Sequence, residues 1–232
     1  MKRRLFGLAL LASLLAAVAL VQAGSAADRP LCLVSNERTR QESSSLQEGI
    51  DTAASGDTLV VRGRCVGASK ISADLTLKGV GSNPTLDGDG VDSDRVLTIY
   101  SNVAVTNLTI TGGALGGVMN FGTLALARST VSGNTSVQGG GGIFNYGTLM
   151  LDHSAVSGNV SEYLGGGILN ADTQFSAGTV MLVHSTVTGN SAAVRGGGIF
   201  KTTGAVTLIK STVTANIPDN CSPPDSISGC IG

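Results

Sequence analysis

Two stretches of this chain carry side chains that could do chemistry. The first is Asp87-Gly88-Asp89-Gly90-Val91-Asp92-Ser93-Asp94, four carboxylates alternating with small residues. Asp87, Asp89, Asp92 and Asp94 could gather around Ca2+, a hard cation that takes about six to eight oxygen ligands. An EF-hand loop, however, wants ligands at its first, third and fifth positions, glycine at the sixth and glutamate at the twelfth. Counted from Asp87, the last three of these are Val91, Asp92 and Thr98. The plainer reading is a polar turn between strands, in a protein that needs no metal or cofactor.

The second is a set of basic groups, Arg128, His153, His184 and Lys210, each directly before a serine. The two histidines do not read as a catalytic pair, because recurrence accounts for their placement. Nor do acids surround them: from Leu115 to Asn216 there are only Asp152, Glu162 and Asp172, too scattered for the paired carboxylates of a glycosidase.

What must position these groups is a block that recurs four times. It runs Gly116 to Asn134, Gly141 to Asn159, Gly166 to Asn190 and Gly197 to Asn216, with steps of 25, 25 and 31 residues. The longer step comes from about six extra residues near Ala171 to Ala177. A period of about 20–50 residues means a solenoid, propeller or array. Apolar columns recur: Val118, Ile143, Ile168 and Ile199; Leu124, Leu149, Val180 and Val206; Leu126, Leu151, Leu182 and Leu208; Val131, Val156, Val187 and Val213. Leu124 and Leu126 stand two apart, as residues on one face of a strand must. No block holds a helix-length amphipathic run, and glycine, asparagine and serine break each into short strands. The expectation is an all-β fold: a parallel β-helix of about seven coils, three irregular ones preceding the repeats.

In that register strict alternation from Leu126 would turn Arg128, His153, His184 and Lys210 inward, which ionisable groups do not tolerate. The chain must therefore bend there and place the column on an outer corner. Such a corner is either simply solvated or a basic stripe that contacts an anionic glycan. Asn134, Asn159, Asn190 and Asn216 close the blocks, and Asn120, Asn145 and Asn170 form another column that Lys201 breaks. They read as ladders locking coil to coil rather than as sugar ligands. On that reading Asn159, in the middle, matters more than Asn216 at the end.

The ends differ from the middle. Lys2, Arg3 and Arg4, an apolar run to about Val21 and small residues through Ala27 read as a secretory signal peptide over 1–27, with a retained anchor as the alternative. Its removal takes the formal charge from −1 to about −4, and nothing points to nucleic acid. Export permits disulfides, and locality favours Cys32 with Cys65 and Cys221 with Cys230. Ser45-Leu46-Gln47-Glu48 fits a capping box, opening a short helix over the open end of the coils. The expected layout is an N-terminal cap over 28–57, the β-helix over 58–216 and a disulfide cap over 217–232. Glycine, 33 of 232 residues, and the 3% aromatic share fit thin, turn-rich coils.

The repeats resemble those of bacterial secreted proteins of the right-handed parallel β-helix, pectate-lyase-like superfamily. They are most similar to its non-catalytic branch, whose GGA(I/V/L) and FxxN motifs recur in polymorphic outer-membrane proteins. Gly141-Gly142-Ile143, Gly166-Gly167-Ile168 and Gly197-Gly198-Ile199 match the first motif. Val156-Ser157-Gly158-Asn159 matches the second with valine for phenylalanine. Leu46 to Asp57 followed by Cys65, and Asp219-Asn220-Cys221, are similar to the ends of such proteins. The resemblance implies a single-stranded right-handed helix and a secreted, monomeric interaction or structural module of the cell envelope or exterior. Its partners would be polysaccharide or a cell-surface protein, with no membrane span in the mature chain. The alternative is a carbohydrate-active enzyme, a lyase or glycosidase acting on acidic glycans.

Overall fold

The computed structural model describes residues 32–90, 94–173 and 177–231. The signal peptide expected over 1–27, and Asp92 of the acidic stretch, lie outside the described residues. The chain is a parallel β-solenoid of about six turns. Each of its three long sheets holds seven strands in parallel order, so seven rungs are joined by six coil-to-coil steps.

One coil shows how the sequence makes the fold. Thr123–Ala127, Thr130–Ser132 and Val118–Asn120 each contribute one strand to a different sheet. Leu124, Leu126, Val131 and Val118 point inward and are at most 1% exposed. The coil above places Leu149, Leu151, Val156 and Ile143 over them in register. At about 25 cal/mol per Å2 of apolar surface, each such buried side chain contributes roughly 1.5–3 kcal/mol. The core is therefore a stack of aliphatic layers, with no room for large rings. Between the second and third sheets a fourth short strand appears in three coils, Thr135–Ser136, Val160–Ser161 and Ser191–Ala192, a rung that hydrophobic periodicity did not reveal.

The asparagine columns are side-chain ladders. Asn134 Nδ2 donates to Asn159 Oδ1, Asn159 to Asn190 and Asn190 to Asn216, each at 2.9 Å. Asn216 is not the end of the ladder: its amide donates onward to Asn220 Oδ1 at 3.1 Å. The expectation that Asn159 outranks Asn216 is thus corrected, since both have partners on either side. The second ladder runs Asn120 to Asn145 to Asn170 at 2.8 and 2.7 Å and stops where Lys201 faces Asn170.

At the N-terminal end a helix, Leu46–Asp51, buries Leu46 and Ile50. Ser45 Oγ accepts from Glu48 N, but the return bond of the capping box goes to Ser44 N rather than to Ser45. Ahead of the helix, Leu33–Asn36 and Glu42–Ser43 add two antiparallel strands to the first sheet. Their charged and polar residues concealed them from a search for apolar alternation. Asp57 anchors this end, accepting from Asn36 Nδ2 at 2.7 Å, Arg38 Nε at 2.6 Å and Ala54 N at 2.9 Å. The Arg38 hydrogen bond first, then that of Asn36, hold its carboxyl far below the ordinary carboxylate range against the opposing effect of burial. A depressed folded pKa stabilises above the unfolded value, about 4, and that contribution fades as pH falls below it. Asp57→Asn is therefore expected to lower the melting temperature at neutral pH, with the gap to the unsubstituted protein narrowing below about pH 4. A gap of constant size across the acid range would contradict this.

Two disulfides pin the ends. Cys32–Cys65 (Cα separation 4.4 Å) ties the segment before the antiparallel strands to the first coil, and Cys221–Cys230 (6.2 Å) ties the C-terminal segment to the last rung. Cys221–Ser222 is itself the seventh strand of the third sheet.

Candidate functional site

Arg128, His153, His184 and Lys210 all lie exposed at the corner between the first and second sheets. Each adopts a left-handed backbone, with φ of 48, 47, 46 and 48°. The serine that follows each braces the bend. Ser154 Oγ donates to Asp152 O across the corner at 2.9 Å, while Ser185 Oγ accepts from Ser154 N at 3.1 Å. The corner N–H groups also bond upward: Arg128 N to Asp152 O, His153 N to Val183 O and His184 N to Ile209 O, each at 3.0 Å. Left-handed angles interrupt the two-residue alternation, so the serine turns in and the basic side chain out.

One coil earlier the same corner is held by Asn107, also left-handed at φ 54°. Asparagine suits these angles, whereas arginine and lysine carry a small strain there. The corner could be turned without a basic residue, and yet four successive coils place one on it. A shallow cleft of about 340 Å3 opens at the start of the column, lined among others by Asn83, Pro84, Asn107, Thr109, Arg128 and Thr130. A second cleft, about 390 Å3, lies against the antiparallel strands of the cap and is walled by Glu37, Arg40, Glu42 and Arg62. Its mixed charges favour no ligand of one sign.

Within the column the two imidazoles stack, ring centroids 4.7 Å apart. Asp152 Oδ1 lies 2.8 Å from His153 Nδ1, and ligand atoms of Asp152, His153 and His184 all fall within 4.8 Å of one another. Residue order had set Asp152 aside as an isolated acid; the only signal was its place next to His153. Its strand neighbours are Ala127 and Val183, so no second carboxylate stands beside it in the sheet.

The acidic stretch is arranged otherwise. Arg64 reaches Asp87 Oδ2 and Asp89 Oδ1, each at 2.7 Å, and Lys70 reaches Asp94 Oδ2 at 2.8 Å. Asp87 Oδ1 accepts from Asp89 N, closing the turn. The described carboxylates thus face two different cationic side chains rather than a common centre.

Four of the few aromatic rings gather at another corner. Tyr100 stacks on Phe121 at 5.3 Å, Phe121 on Tyr146 at 5.2 Å and Tyr146 on Phe144 at 4.5 Å. The rings stack on one another from coil to coil, and Tyr100 and Phe121 remain exposed. Beneath them Arg95, 3% exposed, donates to Gly139 O and Gly140 O and lies 5.3 Å from the Phe144 ring. Burial pushes its pKa down to about 10 against the pull of Tyr146 and Asp94. It pins the second and third sheets' connecting loop, a role without a sequence signal.

No described helix is long and apolar enough to cross a membrane. No family model, no curated protein and no solved structure matches the chain.

Proposed function

We propose that this chain is a secreted, non-catalytic interaction module of the cell envelope or exterior that binds anionic polysaccharide along its basic corner. On this reading the repeats resemble those of the pectate-lyase-like β-helices, in the branch similar to polymorphic outer-membrane protein repeats. One observation carries the proposal: Arg128 and Lys210, at the two ends of a column that His153 and His184 complete, occupy left-handed positions that asparagine, as at Asn107, fills at lower conformational cost. Strain kept at Arg128 and Lys210, with a basic group on every coil between, points to use rather than to folding. Coils stacked at about 4.8 Å make the column a linear array of donors and positive charge. Beside it the second sheet presents hydroxyls, Thr130 and Ser132, Thr186 and Thr188, Thr212 and Thr214. Uronate carboxylates and sugar hydroxyls are the groups such a surface recognises. The left-handed corner offers no carboxylate pair for acid–base cleavage, and the described members of the acidic stretch are engaged by Arg64 and Lys70.

The test is a glycan array probed with the mature protein, with and without Ca2+. Polyuronates and other acidic chains are expected to bind in both conditions and neutral chains to stay blank. Equal capture of neutral glycans, or release of unsaturated uronates from polygalacturonate or alginate, would overturn the reading.

A further inference from the structure

We propose that Asp152, His153 and His184 form a binding site for a borderline divalent transition ion, with zinc the ion best suited to the ligand set. Two imidazoles on successive coils and a carboxylate are a combination zinc takes, at about 2.0–2.2 Å from each donor. Their ligand atoms already lie within 4.8 Å of one another. An ion touching all three needs them about 3–3.5 Å apart, a closure that exposed side chains make by small rotations.

The backbone need not move. The two coils are locked at this corner by Ser154 N to Ser185 Oγ, 3.1 Å, and His153 N to Val183 O, 3.0 Å. The imidazoles are therefore held near each other before any ion arrives, which lowers the ordering cost of binding. His153 and Asp152 are 57% and 48% exposed, and His184 is exposed too, so the ion has an open path and its remaining positions are filled by water. A single carboxylate with two nitrogen donors discriminates against Ca2+ and Mg2+, which demand oxygen-rich shells.

Arg128 and Lys210 flank the histidines in the same column. Their charges oppose a bound cation and hold the affinity to a moderate value, since both are long, exposed side chains that swing aside. The site does not depend on polysaccharide binding. It is tested with zinc alone, so the two proposals fail separately.

The experiment is calorimetric titration of tag-free protein with zinc chloride at about pH 7.5, because imidazole binds a metal ion through its neutral form. His153→Asn and His184→Asn are the variants, because Asn107 shows that asparagine fits this corner. One zinc per chain is expected, each substitution lowering affinity at least tenfold while leaving the zinc-free melting temperature unchanged, and excess Ca2+ failing to compete. No zinc binding by the unsubstituted protein, affinity within a factor of about two in either variant, or displacement by Ca2+ would overturn the assignment.

Discussion

Replacing Asn159 by alanine is expected to cost about 3–6 kcal/mol of folding stability, the sum over the buried polar groups it would orphan. Asn159 is fully buried and stands in the middle of the longer ladder. Its Oδ1 accepts from both Asn134 N and Asn134 Nδ2, and its Nδ2 donates to Val131 O and Asn190 Oδ1. Alanine removes all four bonds and gives the interior no water to replace them. Each orphaned buried group costs roughly 1–3 kcal/mol, and Asn134 N loses an acceptor at a point where the coil bends. Asn216→Ala is expected to cost nearly as much, because Asn220 extends the ladder past it. Asn220→Ala should cost less, since Asn220 is half-buried and its bonds to Asn216 are only partly shielded from water. Denaturant unfolding of the three variants measures this. A loss at Asn159 below about 1 kcal/mol would refute the ladder.

Gly142→Ala is expected to destabilise by about 2–4 kcal/mol, at or above the usual range for overpacking. A Cβ there would meet Gly167 O at 2.6 Å, Asn159 Nδ2 at 2.9 Å and Val156 Cγ1 at 3.0 Å. The first of these is backbone of the next coil and cannot yield without lifting the rung. The repeated glycine pair is thus dictated by close approach of stacked coils to the asparagine ladder. Gly158→Ala separates this cause from backbone angles, because Gly158 has φ 63° and nothing within 4 Å of a Cβ. It should cost only the left-handed penalty, about 1–2 kcal/mol. Equal losses at Gly142 and Gly158, read from the same denaturation curves, would mean that contact is not the reason.

Much of this was legible because a solenoid writes its contacts into its period. Leu124 over Leu149 and Val131 over Val156 are neighbours in space by the same offset that repeats in sequence. The parallel fold, the inward columns, both disulfide pairs and the capping helix follow from local spacing. What spacing did not carry were contacts that break the period. The antiparallel strands at Leu33–Asn36 and Glu42–Ser43 have no repeat to announce them. Asn220 joins the ladder from the tail, only four residues after Asn216. Arg95 finds its carbonyl partners 44 and 45 residues away. At the corner, recurrence revealed a column but concealed Asp152, because one acid in one coil looks like noise until its carboxylate is seen 2.8 Å from an imidazole.

The most direct test of the proposed binding role is the affinity of an Arg128→Asn, Lys210→Asn double variant for polygalacturonate. Asparagine keeps the corner, as Asn107 does at φ 54°, and relieves the strain of two left-handed side chains, so melting temperature should hold or rise slightly. Binding should fall at least tenfold at low salt. The unsubstituted protein should lose affinity as salt shortens the reach of its charges, to a Debye length of about 8 Å at 0.15 M. Stability kept and binding lost would place recognition on the corner and folding elsewhere. Unchanged affinity in a folded double variant would contradict the account.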